Sequence, residues 1–339
     1  MKKYNVVYYN VDDSLEYENS LLKEWRVDDI LLEEIKDKSN TTPFWEYLMD
    51  ADGIVVEYEK MTRPVIEKLP NCKIISLQSI GYNNVDIDAA TEHGICVTNI
   101  PGFCTEEVAL HSVGLLIDLV RKITFLDRSV RAGHWNPLLG PKTHRISGKT
   151  IGLVFFGSIP KAMTKILQAM GLNILVYAPT KSKEYLAQYG AQKADTLDEL
   201  LSASDFVSLH MPLTPETRHM ISTPQLAMMK KSAFLINTAR GSVVDEPALV
   251  QALKDGTIAG AGIDVIEDEA NEKSELFGLE NVVITPHAAF ISEDSFYEGR
   301  KMALRQLVMR LHEQAAPEFL INKTATMTFS QLGEKSKNI

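Results

Sequence analysis

Hydrophobic and polar positions along the chain follow two rhythms. Near-continuous runs of Val, Ile, Leu and aromatic residues at 4–9, 53–56 and 73–77 have strand length, and unbroken apolarity marks strands covered on both faces. Between them, at 42–49 and 64–68, the spacing is that of amphipathic helix. A further strand is predicted at 95–99. After Thr105 a long helix is predicted to about residue 126, with Glu106 and Glu107 in its first turn, where the helix dipole favours acids. A loop with Gly, Pro and Trp fills 132–145, and the pattern starts afresh. Strands are then predicted at 151–155, 173–177, 205–209, 233–237, 260–265 and 282–285. Helices are predicted at 160–170, 183–189, 197–202, 224–229, 246–254 and, last and longest, 292–314. Strands alternating with helices make parallel sheets flanked by helices, so the fold class is α/β with two doubly wound units. The final helix is long enough to leave the second unit and rejoin the first. The expected division is therefore a domain inserted at 103–292 into a discontinuous one, 1–102 and 293–339.

Composition narrows the possible partners. A chain of 339 residues suits two cores better than one. Its formal net charge of -10 disfavours nucleic acid or an anionic membrane as partner, while leaving room for a small anion held by a local field. The start, MKKYNVVYYN, has lysines but no apolar run after them, so no signal peptide is expected, and no stretch has the length of a membrane span. Cys72, Cys96 and Cys104 lack metal-ligand spacing and fit a reducing compartment. A cytoplasmic protein without a metal site is expected.

The segment Val154-Phe155-Phe156-Gly157-Ser158-Ile159-Pro160-Lys161 joins a predicted strand to a predicted helix. Such a turn holds a dinucleotide by aiming backbone N–H groups and the helix dipole at the pyrophosphate. The fingerprint G-x-G-x-x-G would put glycines at 155, 157 and 160, yet only Gly157, the one that lets the backbone approach phosphate, is present. Phe155 replaces the glycine of the tight turn. Pro160 falls in the first helical turn, where a missing N–H is tolerated. The acidic residue that would hold the adenine ribose is also absent: Ala178 follows the next strand, and then come Pro179, Thr180, Lys181, Ser182 and Lys183. Losing that carboxylate removes repulsion against a 2′-phosphate, so Lys181 and Lys183 could favour NADP, or could simply solvate a loop. NAD and NADP both remain open. Taken alone, the turn also fits a plain strand-turn-helix.

Oxidising a hydroxyl beside a carboxylate requires a base, a cation for the carboxylate, and a nicotinamide next to the reacting carbon. A base working near neutrality is most simply a histidine leaning on a carboxylate. Candidates stand where strands end, as doubly wound sheets require. Arg240 follows one strand, Asp264 and Glu269 the next, and His287 the last. A lone histidine there could equally be structural, and Glu267 and Asp268 rival Glu269 as its partner. The other histidines, His93, His111, His134, His144 and His219, read as structural or solvated. For His111, on the long helix near the domain junction, reaching the cleft is the lesser alternative.

The runs LINTARGSVVDEPAL, GAGIDVIEDE and NVVITPHAA resemble the D-isomer-specific 2-hydroxyacid dehydrogenases. So do IGYNNVDIDAATEHGICVTNIPGFCTEEVA upstream and LHMPLTPETRHMI between them, and the resemblance spans nearly the whole chain. It implies a Rossmann-like cofactor domain set into a flavodoxin-like substrate domain. It also implies NAD(P)-dependent interconversion of a small 2-oxo acid and its D-2-hydroxy acid. By that resemblance Arg240 binds the substrate carboxylate and carbonyl, His287 exchanges the proton, and Glu269 holds the imidazole. The backbone of Ile80 and Gly81 would donate to the same carboxylate. Gly157, Ser158, Ile159, Ala178, Lys181, His210, Met211, Pro212, Thr217, Thr238, Ala239, Asp264 and Ala289 would line the cofactor, with Asp264 facing the nicotinamide amide. Thr217 could instead cap the helix after Pro215 and Glu216. The family is usually dimeric through its cofactor domains, so a homodimer built on the helix after Thr105 is expected.

Glu57 and Glu59 flank Tyr58 where a phosphorylated substrate would need cations, which points to a small uncharged or apolar oxo acid rather than phosphoglycerate. Two rivals come from other classes. TPHAAFISED also resembles the dehydrogenase-like C-terminal-binding corepressors, which sense dinucleotide and assemble partners. A scaffold whose altered turn no longer holds a dinucleotide is the second. Titration with NADH and NADPH separates the three: no binding favours the scaffold, and binding without turnover favours the sensor.

Overall fold

The apolar runs fold as strands covered on both sides: Gly53–Val56, Ile74–Leu77, Phe206–Leu209 and Gly260–Ile263 are buried at every position. The structure is a computed structural model and describes residues 3–11, 14–37, 42–140, 142–271 and 273–323. Residues 324–339, expected in the substrate domain, lie outside the described residues, as do Met1 and Lys2 of the segment read for a leader and Pro141 of the predicted loop.

In chain order the elements begin with β1 (Tyr4–Tyr9), α1 (Glu16–Glu24), β2 (Ile30–Ile35), β3 (Gly53–Val56), α2 (Arg63–Ile66), β4 (Ile74–Leu77), α3 (Ile87–Glu92) and β5 (Cys96–Thr98). Next come α4 (Thr105–Arg121), α5 (Ile123–Arg131), β6 (Thr150–Val154), α6 (Ser158–Ala169), β7 (Asn173–Tyr177), α7 (Lys183–Ala187) and β8 (Ala191–Lys193). The chain continues through α8 (Leu197–Ala203), β9 (Phe206–Leu209), α9 (Thr223–Met228), β10 (Phe234–Asn237), α10 (Glu246–Lys254), β11 (Gly260–Ile263), β12 (Val282–Ile284) and α11 (Glu293–Leu311). Two compact units result, one running to Phe103 and resuming at Ser292, the other Cys104–Ile291.

In the first unit, parallel strands lie in the order β2-β1-β3-β4-β5. Helix α11 packs on this sheet, where Ser76 donates to the Ala303 carbonyl at 3.0 Å and Gly53 makes room for Leu307. In the second unit, seven parallel strands lie in the order β12-β11-β10-β9-β6-β7-β8. The chain moves outward from β6 to β8, crosses back to β9 on the other flank of β6, and moves outward again to β12. Strand order reverses between β6 and β9, and in such sheets ligands gather beyond the carboxyl ends at that reversal.

Several elements depart from the expectation. The helix predicted over 106–126 is two helices, because Lys122 adopts left-handed φ 57° and ψ 37° and α5 starts anew. Asp118 fixes that break by accepting from the Thr124 N–H at 2.8 Å. The segment 42–49 forms a 3-10 helix, Phe44–Leu48. Helix α6 begins at Ser158, two residues before the predicted start. Strands β2 and β8, absent from the prediction, are sheet edges where only Ile30 and Ala191 are buried; the apolar start of β2 gives way to Glu33 and Glu34, and β8 has a single apolar residue.

Candidate active site

Every motif of the second unit stands at the carboxyl end of a strand: 155–160 after β6, Ala178 after β7, 210–212 after β9, 238–240 after β10, 264–269 after β11 and 287–289 after β12. The turn after β6 keeps a glycine's backbone without the glycine. Phe155 has φ 70°, a left-handed conformation that costs a non-glycine residue roughly 1–2 kcal/mol. That conformation ends the strand at Val154, one residue before the prediction. The Phe155 N–H bonds the Tyr177 carbonyl at 2.8 Å and its ring packs on the core beside Val154, which together hold the strained turn. Gly157 then caps α6 with no side-chain bond to the helix N–H groups, and a Cβ there would meet nothing within 4 Å. A helix N-terminus without a side-chain cap, begun by a glycine with open space around its Cα, fits a pyrophosphate. Ser158 is exposed, Ile159 half-buried and Pro160 buried.

Ala178 is buried, and the loop after it contains Lys181, whose Nζ lies 5.3 Å from the centre of the Tyr185 ring. Lys161 approaches the same ring at 5.4 Å and bonds the Tyr185 hydroxyl, which raises the lysine's pKa and lowers the tyrosine's. Lys183 instead pairs with Asp195 at 3.3 Å.

After β10, Asn237 shapes the turn. Its side chain donates to the Arg240 carbonyl at 2.9 Å and accepts from the Ala239 N–H at 3.0 Å. The Arg240 guanidinium donates to the Ala239 carbonyl at 2.6 Å. Burial lowers its pKa, opposed by the Glu269 carboxylate and by Cys104, so Arg240 stays charged in a partly desolvated place. Burial pushes the Cys104 thiol up to about 12, which keeps it un-ionised at neutral pH. Gly241 permits the closest approach of all: a Cβ there would stand 1.8 Å from the Ile266 carbonyl oxygen, so no larger residue lets the segment leading to Glu269 lie against this turn.

The Glu269 carboxylate accepts from His287 Nδ1 at 3.0 Å. The rival acids are engaged elsewhere: Glu267 binds His219 at 2.7 Å and Arg218 at 2.8 Å, and Asp268 accepts from Asn271. His287 has left-handed φ 52°. Arg240, Glu269 and His287 are thus linked by charge and by one hydrogen bond at the ends of neighbouring strands β10, β11 and β12.

The remaining predicted residues fall into three settings. Asp264 is buried at 2% exposure, and its carboxylate accepts from the Thr285 hydroxyl and from the Ala288 and Ala289 N–H groups, which directs it to the 285–289 turn. Ala289 and Met211 are buried while Pro212 is exposed. His210 bonds Ser208 at 3.0 Å, and burial pushes its pKa down to about 3. Thr217 is buried rather than a surface cap; it donates to the Pro212 carbonyl at 2.6 Å and accepts from the Thr214 N–H at 2.8 Å, folding the loop after β9. Thr238 shares a bond with Ser112 of α4 at 2.8 Å, and His111 reaches Thr285 at 2.9 Å. Ser112 and Thr285 are absent from the sequence-based candidates, and Cys104 figures there only as a thiol without metal-ligand spacing; a serine on the apolar face of a long helix is the available signal. Ile80 and Gly81 belong to the first unit, in a turn tied by Ser79 to the Gly81 carbonyl at 2.7 Å and by Asn99 to the Ile80 carbonyl at 2.8 Å. Among the described residues no group of His, Cys, Asp and Glu could hold a metal, and no helix is long and apolar enough to cross a membrane.

Comparison with known proteins converges on one family. Residues 113–289 match the family model described as D-isomer specific 2-hydroxyacid dehydrogenase, NAD binding domain. The chain is 40% identical over 288 residues to the glyoxylate reductase of Thermococcus litoralis, covering 82% of this chain and 86% of that one. The crystal structure of a glyoxylate reductase from Paecilomyes thermophila superposes with a TM-score of 0.85 at 27% identity, over 95% of this chain and 99% of that one. An NADPH-dependent glyoxylate/hydroxypyruvate reductase from Sinorhizobium meliloti, solved with NADP and malonate, gives 0.81 at 28% identity, over 96% and 98%.

Proposed function

The chain belongs to the D-isomer-specific 2-hydroxyacid dehydrogenase family and is an NAD(P)-dependent oxidoreductase acting between 2-oxo and D-2-hydroxy acids; from that premise we propose glyoxylate and similarly small 2-oxo acids as its substrates. A bound NAD(P)H supplies the hydride. Arg240 pairs with the substrate carboxylate and polarises the oxo group, its charge strengthened by the partly dry setting. Glu269 occupies the Nδ1 side of His287, which orients the ring and leaves Nε2 to give its proton to the oxo oxygen. In the direction of oxidation the same nitrogen takes the proton back.

The observation that carries this reading is the 3.0 Å bond between His287 and Glu269 beside the Arg240 turn. The substrate class draws on the glyoxylate reductases that align with most of the chain, and on Glu57 and Glu59 around Tyr58 just beyond β3, a poor setting for a phosphate. A screen of 2-oxo acids with NADH and NADPH tests it. Glyoxylate or another small oxo acid is expected to turn over faster than phosphohydroxypyruvate, and the reverse order overturns the substrate assignment. The corepressor-like and scaffold readings have less support, since the relatives sharing most of the chain are named as enzymes, glyoxylate reductases and a D-3-phosphoglycerate dehydrogenase.

We further propose a cytoplasmic homodimer. Cys72, Cys96 and Cys104 are free and buried, as suits a reducing compartment, and the net charge of -10 gives nucleic acid no footing. Helix α5 buries none of its residues, and Ile123, Val130, Trp135 and Leu138 stand exposed, an apolar surface that a second copy would cover. Sedimentation of the native chain as a monomer would reject the dimer.

A further inference from the structure

Helix α4 packs across β10, β11 and β12, with Leu115 so close over Gly262 that a Cβ on the glycine would stand 3.0 Å from the leucine's own. One turn earlier on the same helix face, His111 is carried to the carboxyl ends of those strands. Its Nε2 lies 2.9 Å from Thr285 Oγ1 and 3.6 Å from Asp264 Oδ1. The Thr285 hydroxyl donates to Asp264 Oδ1 at 2.5 Å. With that proton committed to the carboxylate, the hydroxyl oxygen can only accept from the imidazole, so His111 carries hydrogen on Nε2 and donors run one way from His111 through Thr285 to Asp264.

Asp264 is the residue on which the catalytic turn hangs. Its main-chain carbonyl accepts the His287 N–H at 2.7 Å, Oδ1 accepts the Ala288 N–H at 2.9 Å, and Oδ2 accepts the Ala289 N–H at 3.0 Å. His287 holds φ 52°, a conformation a non-glycine residue keeps only where its surroundings over-determine it. A carboxylate free to rotate would release two of those three bonds.

We propose that His111 is a positioning residue: through Thr285 it fixes the Asp264 carboxylate, and through that carboxylate the left-handed His287 turn, in the orientation that presents the imidazole to substrate. The proposal rests on the assignment of His287 as the proton-exchanging group. His111 acts through two other residues and takes no proton from the substrate.

The test compares His111→Ala, His111→Gln, Thr285→Val and the His111→Ala/Thr285→Val double variant, by steady-state reduction of a 2-oxo acid and by nicotinamide fluorescence. His111→Ala and Thr285→Val are each expected to lower kcat roughly tenfold, the loss of one buried hydrogen bond felt in the transition state, with KM and dinucleotide Kd within a few-fold of native. The double variant is expected to be no slower than the slower single one, because both cut the same chain. His111→Gln, whose amide can donate to Thr285, is expected to recover most of the rate. Full kcat in His111→Ala, losses that multiply in the double variant, or a Gln variant as slow as the Ala variant would each overturn the proposal. His287→Ala, run alongside, separates two failures. An inert His287→Ala with a fully active His111→Ala rejects the brace alone, whereas an active His287→Ala rejects the base assignment and the brace with it.

Discussion

The turn after β6 and the turns after β10, β11 and β12 line one edge of one sheet, yet the first departs from its motif where the others keep theirs. The first has exchanged two glycines of its fingerprint for Phe155 and Pro160 and still keeps φ 70° at the first position and open space at Gly157. The others retain Arg240, Glu269 and His287, and also Gly241, where a Cβ would stand 1.8 Å from a backbone oxygen. The difference follows from what each turn supplies. Backbone N–H groups hold a pyrophosphate, and a backbone can be kept in shape by neighbours even when its residues change. In the roles proposed for them, a guanidinium, an imidazole and a carboxylate have no backbone substitute, so the proposal requires the side chains themselves.

That contrast can be broken or sharpened by substitution. The largest effect is expected from His287→Ala, which should lower turnover by roughly 10²–10⁴-fold with dinucleotide affinity nearly unchanged; comparing kcat with a fluorescence Kd checks both halves. Gly241→Ala should come next. The added methyl must displace the Ile266 carbonyl and with it the approach to Glu269, lowering stability by about 1–3 kcal/mol and kcat along with it, as denaturant melts and kinetics would show.

A smaller effect concerns pH. Burial holds His210 at about 3 in the folded chain, whereas an unfolded histidine titrates near ~6.5. Between those values the unfolded chain binds a proton that the folded one refuses, so this contribution to stability is whole above the unfolded value and fades as pH falls towards the folded one. The slope is at most about 1.4 kcal/mol per pH unit. His210→Gln should flatten it in unfolding measurements made between those pH values. The smallest effect is expected from Phe155→Gly, where relief of left-handed strain is offset by lost packing and a freer unfolded chain. Its melting temperature and dinucleotide Kd should move only slightly.

Much of this arrangement was legible in the residues. Parallel strands of the interior announce themselves as unbroken apolar runs, and the Arg, Glu and His motifs follow β10, β11 and β12 because those strands end where the sheet places ligands. What was not legible is physically of two kinds. Edge strands β2 and β8 bury one end only, so their apolar stretches are too short, three residues and one, to stand out as strands. Partners chosen in three dimensions also leave no spacing in the chain: Glu267 goes to His219, Asp264 to the 285–289 turn, and His111 to Thr285, 174 residues away. The break at Lys122 had no proline or glycine to mark it, since Asp118 and Thr124 make it from the side.

The most direct trial of the account is a nicotinamide-fluorescence titration of the native chain with NADH and NADPH. Saturable binding of at least one of them is predicted, because the Phe155 turn already has the shape that phosphate needs. A native chain that binds neither, beside a Phe155→Gly chain that binds well, would contradict it.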